Sequence, residues 1–148
     1  MILLNQQVLN EAAATCSRNK QLTGNVTYLW SMTHKLTNQN WKFIPYRIPS
    51  VTPGYAPSWD LFNINILSGS TEVFIATGAT NNVNVHLIPG QYFVKIYEQQ
   101  STTNLNPNLA YDVVYEGIAT VFGLNQPQNN IISYTGNSGS SIFKIYQG

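Results

Sequence analysis

A chain of 148 residues with 43% hydrophobic content is long enough for one domain with a real core, yet only 9% of its residues are charged, far below the roughly 25% of ordinary globular domains. The formal net charge is +1, and Arg18, Lys20, Lys35, Lys42, Arg47, Lys95 and Lys144 stand singly, so the clustered cations that grip a phosphate backbone are missing and nucleic acid is not expected as a partner. Cys16 is the single cysteine, which excludes an intrachain disulfide and a cysteine-based zinc site, and no run approaches the ~20 apolar residues of a membrane span.

The opening "MILLNQQ" lacks a basic segment and has only a short apolar run, so it is not read as a signal peptide, and synthesis in a cytoplasm is expected. "LNEAAATCSRNK" holds the one helix candidate, with Asn10 as a potential cap. No apolar stripe recurs there at helical spacing, so it is read as a first strand, with a helix as the alternative. A short N-terminal arm over residues 1–20 is the one expected departure from a single domain spanning 1–148.

Period-two alternation, the mark of half-buried strands, dominates the chain from Asn25 onwards. "NVTYLWSMTHKL" sets Val26, Tyr28, Trp30 and Met32 on one face and Thr27, Leu29, Ser31 and Thr33 on the other. "TNQN" then reads as a hairpin turn into a return strand, "NWKFIPYRI". "PSVTPGYAPSW" carries Pro49, Pro53 and Pro57, a density that excludes a central strand and predicts a stiff surface loop. Its Tyr55 and Trp59 make it, together with Pro53 and Pro57, the candidate interaction surface; aromatic pinning of the loop to the domain is the alternative.

"DLFNINIL" places Phe62, Ile64 and Ile66 opposite Leu61, Asn63 and Asn65, and "NVNVHLI" points Val83, Val85 and Leu87 inward before a tight Pro89-Gly90 turn. "QYFVKIYEQ" alternates Tyr92, Val94 and Ile96 with Phe93, Lys95 and Tyr97, and "YDVVYEGIATVFG" and "SSIFKIYQ" close the series. About seven to nine short strands separated by turn signals predict an all-β antiparallel sandwich, immunoglobulin-like or jelly-roll-like.

The inventory for chemistry is thin. His34 and His86 are expected as exposed strand residues, and Cys16 as a buried or half-buried free thiol. Histidine pairs at ligand spacing and Asp-rich calcium loops are missing, so neither a metal nor a cofactor is expected. The sharpest enzymatic hypothesis is a carboxylate pair for glycoside cleavage, which needs two acids roughly 5–10 Å apart. Glu98 ends one strand while Asp112 and Glu116 lie on the next, so an antiparallel pairing brings Glu98 towards Asp112. No supporting acid, histidine or arginine surrounds them, and strand-end acids commonly hold loop amides or keep an edge soluble, so no enzyme is predicted. Trp30, Trp41, Trp59 and the tyrosines supply the aromatics a sugar-binding module needs, although alternating aromatics in strands are mostly core.

Two stretches resemble small structural proteins of tailed phages infecting Bacteroidetes, the crAss-like group among them. They are "NVTYLWSMTHKLTNQNWKFIP" and "GQYFVKIYEQQSTTNLNPNLAYDVVYEGIATVFG", the second with "IYEQ", "STTNLNP" and "YEGIATVFG" in order. Together with the final "FKIYQG" they cover about two-fifths of the chain. The resemblance implies a β-sandwich virion subunit and brings no catalytic residues with it. The expected function is binding within the particle, as a capsid-associated auxiliary (decoration) protein or a head-fibre attachment subunit. Expected partners are the major capsid protein or a head fibre, with many copies or a homo-oligomer in the particle. The alternatives are a carbohydrate-binding module for host attachment and a tail-associated structural protein.

Overall fold

The computed structural model describes residues 1–16, 21–49 and 59–124. Nine strands form there: β1 (Ile2–Asn5), β2 (Leu9–Ala14), β3 (Thr27–His34), β4 (Asn40–Phe43), β5 (Tyr46–Ile48), β6 (Asp60–Asn65), β7 (Val83–Asn84), β8 (Gly90–Gln99) and β9 (Asp112–Phe122). A short 3-10 turn, Pro107–Leu109, interrupts the loop between β8 and β9. The expected final strand "SSIFKIYQ" lies outside the described residues, as do Tyr55, Pro53 and Pro57 of the Pro-rich segment.

Two sheets pack face to face. One is five-stranded in the order β1-β9-β8-β3-β4; the other runs β2-β6-β5, with β7 joined in parallel to β6. All ladders of the first sheet are antiparallel except β1 on β9, which is parallel. With β2 to β6 and β8 to β9 standing for the B to G strands, the order A′GFCC′/BED is that of an immunoglobulin-like sandwich, with no strand beyond the C′ equivalent among the described residues. Trp30 sits on the strand-C equivalent, and Tyr92 near the start of the strand-F equivalent donates its hydroxyl to Ile88 O at 2.6 Å, as a tyrosine corner does. Val94, two residues on, occupies the position of the second disulfide cysteine of antibody domains, which agrees with Cys16 being free.

The inward rows are those that alternation picks out. Tyr28, Trp30 and Met32 from β3, Phe62, Ile64 and Ile66 from β6 and its end, and Tyr92, Val94 and Ile96 from β8 are all buried in one core. Trp30 is its centre: its ring lies 5.2 Å from Phe62 across the sheets and 6.1 Å from Phe43 beside it. The region around Cys16 is strand up to Ala14, and residues 2–14 give one strand to each sheet.

One expected strand is split. "NWKFIPYRI" forms β4 in the first sheet and β5 in the second, with the change of sheet at Ile44-Pro45. Proline has no N–H to give a ladder, so the backbone leaves one sheet there at no cost in hydrogen bonds and enters the other. Ile44 stays buried and bridges to Ile75. "NVNVHLI" also differs from a full strand. Only Val83 and Asn84 form the strand, and the buried Asn84 side chain holds the 67–71 loop beside it, accepting from Leu67 N at 2.9 Å and donating to Thr71 O at 3.0 Å.

The turn into β4 has Asn38 at φ 56°, a conformation asparagine tolerates better than most residues. It is closed by His34, and here the structure corrects the sequence reading. His34 is buried, 3% exposed, not an outward strand residue. Its Nδ1 accepts from Thr37 N at 3.2 Å and lies 3.0 Å from Thr37 Oγ1, while the ring meets Tyr92 edge-on at 5.0 Å. Gly90, which lacks a side chain, leaves the space that the imidazole fills.

Candidate functional site

The Pro-rich segment leaves β5 after Ile48 and enters β6 at Asp60, so both its ends are anchored at one end of the second sheet. Trp59, its last residue and the part of the expected interaction surface that is described, is 53% exposed. Beneath it a polar cluster is built into the sandwich. Asp60, buried at the start of β6, is paired with Arg47 of β5 at 2.6 Å. The Arg47 guanidinium lies 5.6 Å from the centroid of the Tyr28 ring, adding a cation–π contact.

Burial, reinforced by the Asp60 charge, pushes the Cys16 thiol well above the ordinary range, so the buried free thiol is held in its unreactive neutral form. The same two causes push the Tyr28 hydroxyl up to about 12, and burial alone pushes Tyr92 up to about 12. A phenol whose folded pKa is raised keeps its proton in the fold after the unfolded chain has lost it. Stability is therefore fully present below the ordinary tyrosine value of 10.0 and falls as pH climbs from there to about 12. Urea midpoints measured across this range are expected to stay level up to about pH 10 and then decline. Level midpoints up to pH 12 would contradict the burial of both hydroxyls.

The carboxylates of the long β8–β9 hairpin resolve into three separate roles. Glu98 and Asp112 are directly opposite in the ladder, as antiparallel pairing predicts. Glu98, however, is 0% exposed and not a wet strand-end charge. Its Oε1 accepts from Gln21 N at 2.9 Å, and its Oε2 accepts from Gln21 N at 3.0 Å and from Leu22 N at 3.0 Å. Both oxygens are thus committed to the backbone leading into β3, which strand alternation gave no means of foreseeing. Asp112 is exposed; it accepts from its neighbour Val113 N at 2.7 Å and from Gln21 Nε2 at 3.2 Å. Glu116 stands on the outer face of the sheet, paired with Lys95 at 2.7 Å. The geometry lacks a cleft between Glu98 and Asp112 in which a scissile bond could lie: the space is filled by Gln21. An open hollow is lined by Thr15, Val113, Val114, Tyr115 and Glu116.

His86 is half-exposed, with Nε2 2.7 Å from Ser70 O and Nδ1 4.0 Å from Glu72, whose carboxylate also accepts from His86 N at 2.9 Å. Among the described residues no group of three or more His, Cys, Asp or Glu side chains is arranged to hold a metal ion. The tryptophans do not form one exposed platform. Trp30 is core, Trp41 meets Tyr92 at an interplanar angle of 64° and Trp59 faces solvent.

What reaches solvent in quantity is a set of apolar and uncharged polar side chains on the sheet faces. Leu3, Phe93 and Ile118 are exposed on the first sheet, Leu9 on the second, and Leu109 and Tyr111 on the β8–β9 loop. The chain matches no protein-family model, no curated protein and no solved structure.

Proposed function

We propose that the chain is a virion structural subunit that works by protein–protein binding, as a capsid-associated decoration protein or the attachment base of a head fibre. The observation that carries this reading is the division of labour among its polar groups. The buried acids and Arg47 are spent on holding the sandwich together, whereas the outer faces carry few charges and several exposed apolar side chains. Such faces suit many repeated contacts of modest strength, which avidity makes stable in an assembly. The resemblance of the β3–β4 and β8–β9 segments to phage structural proteins supports the same reading. Its partners would be the major capsid protein or a head fibre.

A carbohydrate-binding role has one observation in its favour, the exposure of Trp59. Mass spectrometry of purified particles with copy-number determination separates the two. A structural subunit is expected at a fixed ratio to the major capsid protein; its absence from the particles would reject the proposal. A saturable shift with host glycans that Trp59→Ala abolishes would establish the sugar-binding alternative.

A further inference from the structure

The register fixes which outward side chains lie side by side. On the outer face of the five-stranded sheet, Asn40, Thr33, Phe93 and Ile118 form one row across β4, β3, β8 and β9. Lys42, Ser31, Lys95 and Glu116 form the next. Phe93 is 55% and Leu3 53% exposed, and Leu3 lies opposite Thr120, one pleat along from Ile118. Lys35 Nζ sits 4.9 Å from the Phe93 ring centroid. Lys95 and Glu116 neutralise each other at 2.7 Å, so among the described residues the charge left on this face is that of Lys35 and Lys42, neither of which has an acidic partner there.

The opposite side of the sandwich has the opposite character. On the outer face of β2-β6-β5, Glu11 lies beside Asn63 and Tyr46, and Ala13 beside Leu61 and Ile48. Leu9, on the same face, is exposed. Glu11 is exposed and has no cationic partner among the described residues.

We propose that copies of this chain stack head to tail, the Lys35/Lys42/Phe93 face of one against the Glu11/Leu9 face of the next. Pairing either face with itself sets like charges opposite each other, lysines in one case and Glu11 in the other, which is repulsive. Only the mixed contact gives opposite charges with apolar side chains on both sides. Because the two faces lie on opposite sides of one sandwich, the contact is heterologous. A pair joined this way still has one free face at each end, so it grows into an open stack, or a ring where the ends meet, and not a closed dimer. With sheets about 10 Å apart within and between copies, each copy would add about 20 Å. This goes beyond the virion reading, because it concerns the isolated chain and holds or fails without the particle.

Sedimentation velocity of the purified protein from micromolar to millimolar concentration tests it. The wild type is expected to pass beyond dimer as concentration rises. Phe93→Asp and Leu9→Arg, each spoiling one face, are expected to be monomeric alone, while their equimolar mixture forms a one-to-one dimer from the two remaining good faces. A wild type that stays monomeric throughout overturns the proposal. So do single variants that still dimerise, or a mixture that stays monomeric while the wild type assembles. Should either variant unfold, the charge exchange decides. Lys42→Glu and Glu11→Lys are each expected to weaken association about two- to fivefold and to restore it when combined; failure of the combined variant to recover counts against the contact.

Discussion

Replacing Gly90 by alanine is expected to destabilise the protein by about 2–5 kcal/mol, combining backbone strain with overpacking. Gly90 opens β8 at φ 144°, a conformation that side-chain-bearing residues rarely adopt. A Cβ there would also collide with Nε2 of His34. The imidazole has nowhere to retreat: it is 3% exposed, tied to Thr37 through Nδ1, and packed against Tyr92. Against the 5–15 kcal/mol that holds a typical domain together, such a loss is large. Urea denaturation of Gly90→Ala alone and in a His34→Ala background separates the two causes. Removing the ring should relieve the collision and leave the φ strain, so alanine at Gly90 should cost less in the second background. Equal costs in both backgrounds would show that the ring contact is not the source, and a wild-type midpoint would refute the close approach itself.

The inward rows of β3, β6 and β8 were readable because they need only local information: a period of two and the identity of the apolar residues. Phe93 could be assigned to the outer face on the same ground, since it alternates with Tyr92 and Val94. The order of strands could not be read this way. That β1 lies parallel to β9, or that β4 and β5 belong to different sheets, depends on contacts between residues far apart in sequence. "NWKFIPYRI" reads as one return strand across Pro45, and whether a proline ends a strand or passes it to a second sheet is decided by the sheet waiting there.

The polar residues were the least legible. His34 and Glu98 both fall where an exposed strand end is the natural reading, and both are buried because a neighbouring segment folds over them. The Asn and Gln content reads from composition as uncharged surface, yet part of it works inside. Asn10 links the β1–β2 turn, accepting from Asn5 N at 2.7 Å and donating to Asn5 O at 2.9 Å. Gln99 donates to Asn104 O at 3.0 Å and accepts from Asn104 Nδ2 at 2.8 Å, bracing the start of the β8–β9 loop. A primary amide carries both donor and acceptor without charge, so it can satisfy loop backbone in the interior where an ion would need a partner. For the candidate faces, Lys42, Phe93 and Ile118 become neighbours only through the registers of three ladders, which no single stretch of sequence encodes.

Glu98→Gln is the change that distinguishes a structural carboxylate from a catalytic one, and it is expected to lower stability by about 2–4 kcal/mol. Glutamine preserves the volume but offers one acceptor oxygen where the carboxylate offers two. Its NH2 group then faces the amide N–H of Gln21 or Leu22, so donor meets donor in a site with no solvent access. Asp112→Asn, on an exposed side chain, should stay within about 0.5 kcal/mol of the wild type. An acid pair kept for catalysis predicts the reverse sign, because active-site groups are commonly held at the expense of stability and their neutralisation is often harmless or favourable. Urea midpoints of the two variants decide between these outcomes, and hydrogen exchange at Gln21 and Leu22 locates the effect. In Glu98→Gln those two amides should lose protection ahead of the β3–β8 ladder. A Glu98→Gln protein as stable as the wild type, with both amides still protected, would mean that the carboxylate does not hold the approach to β3.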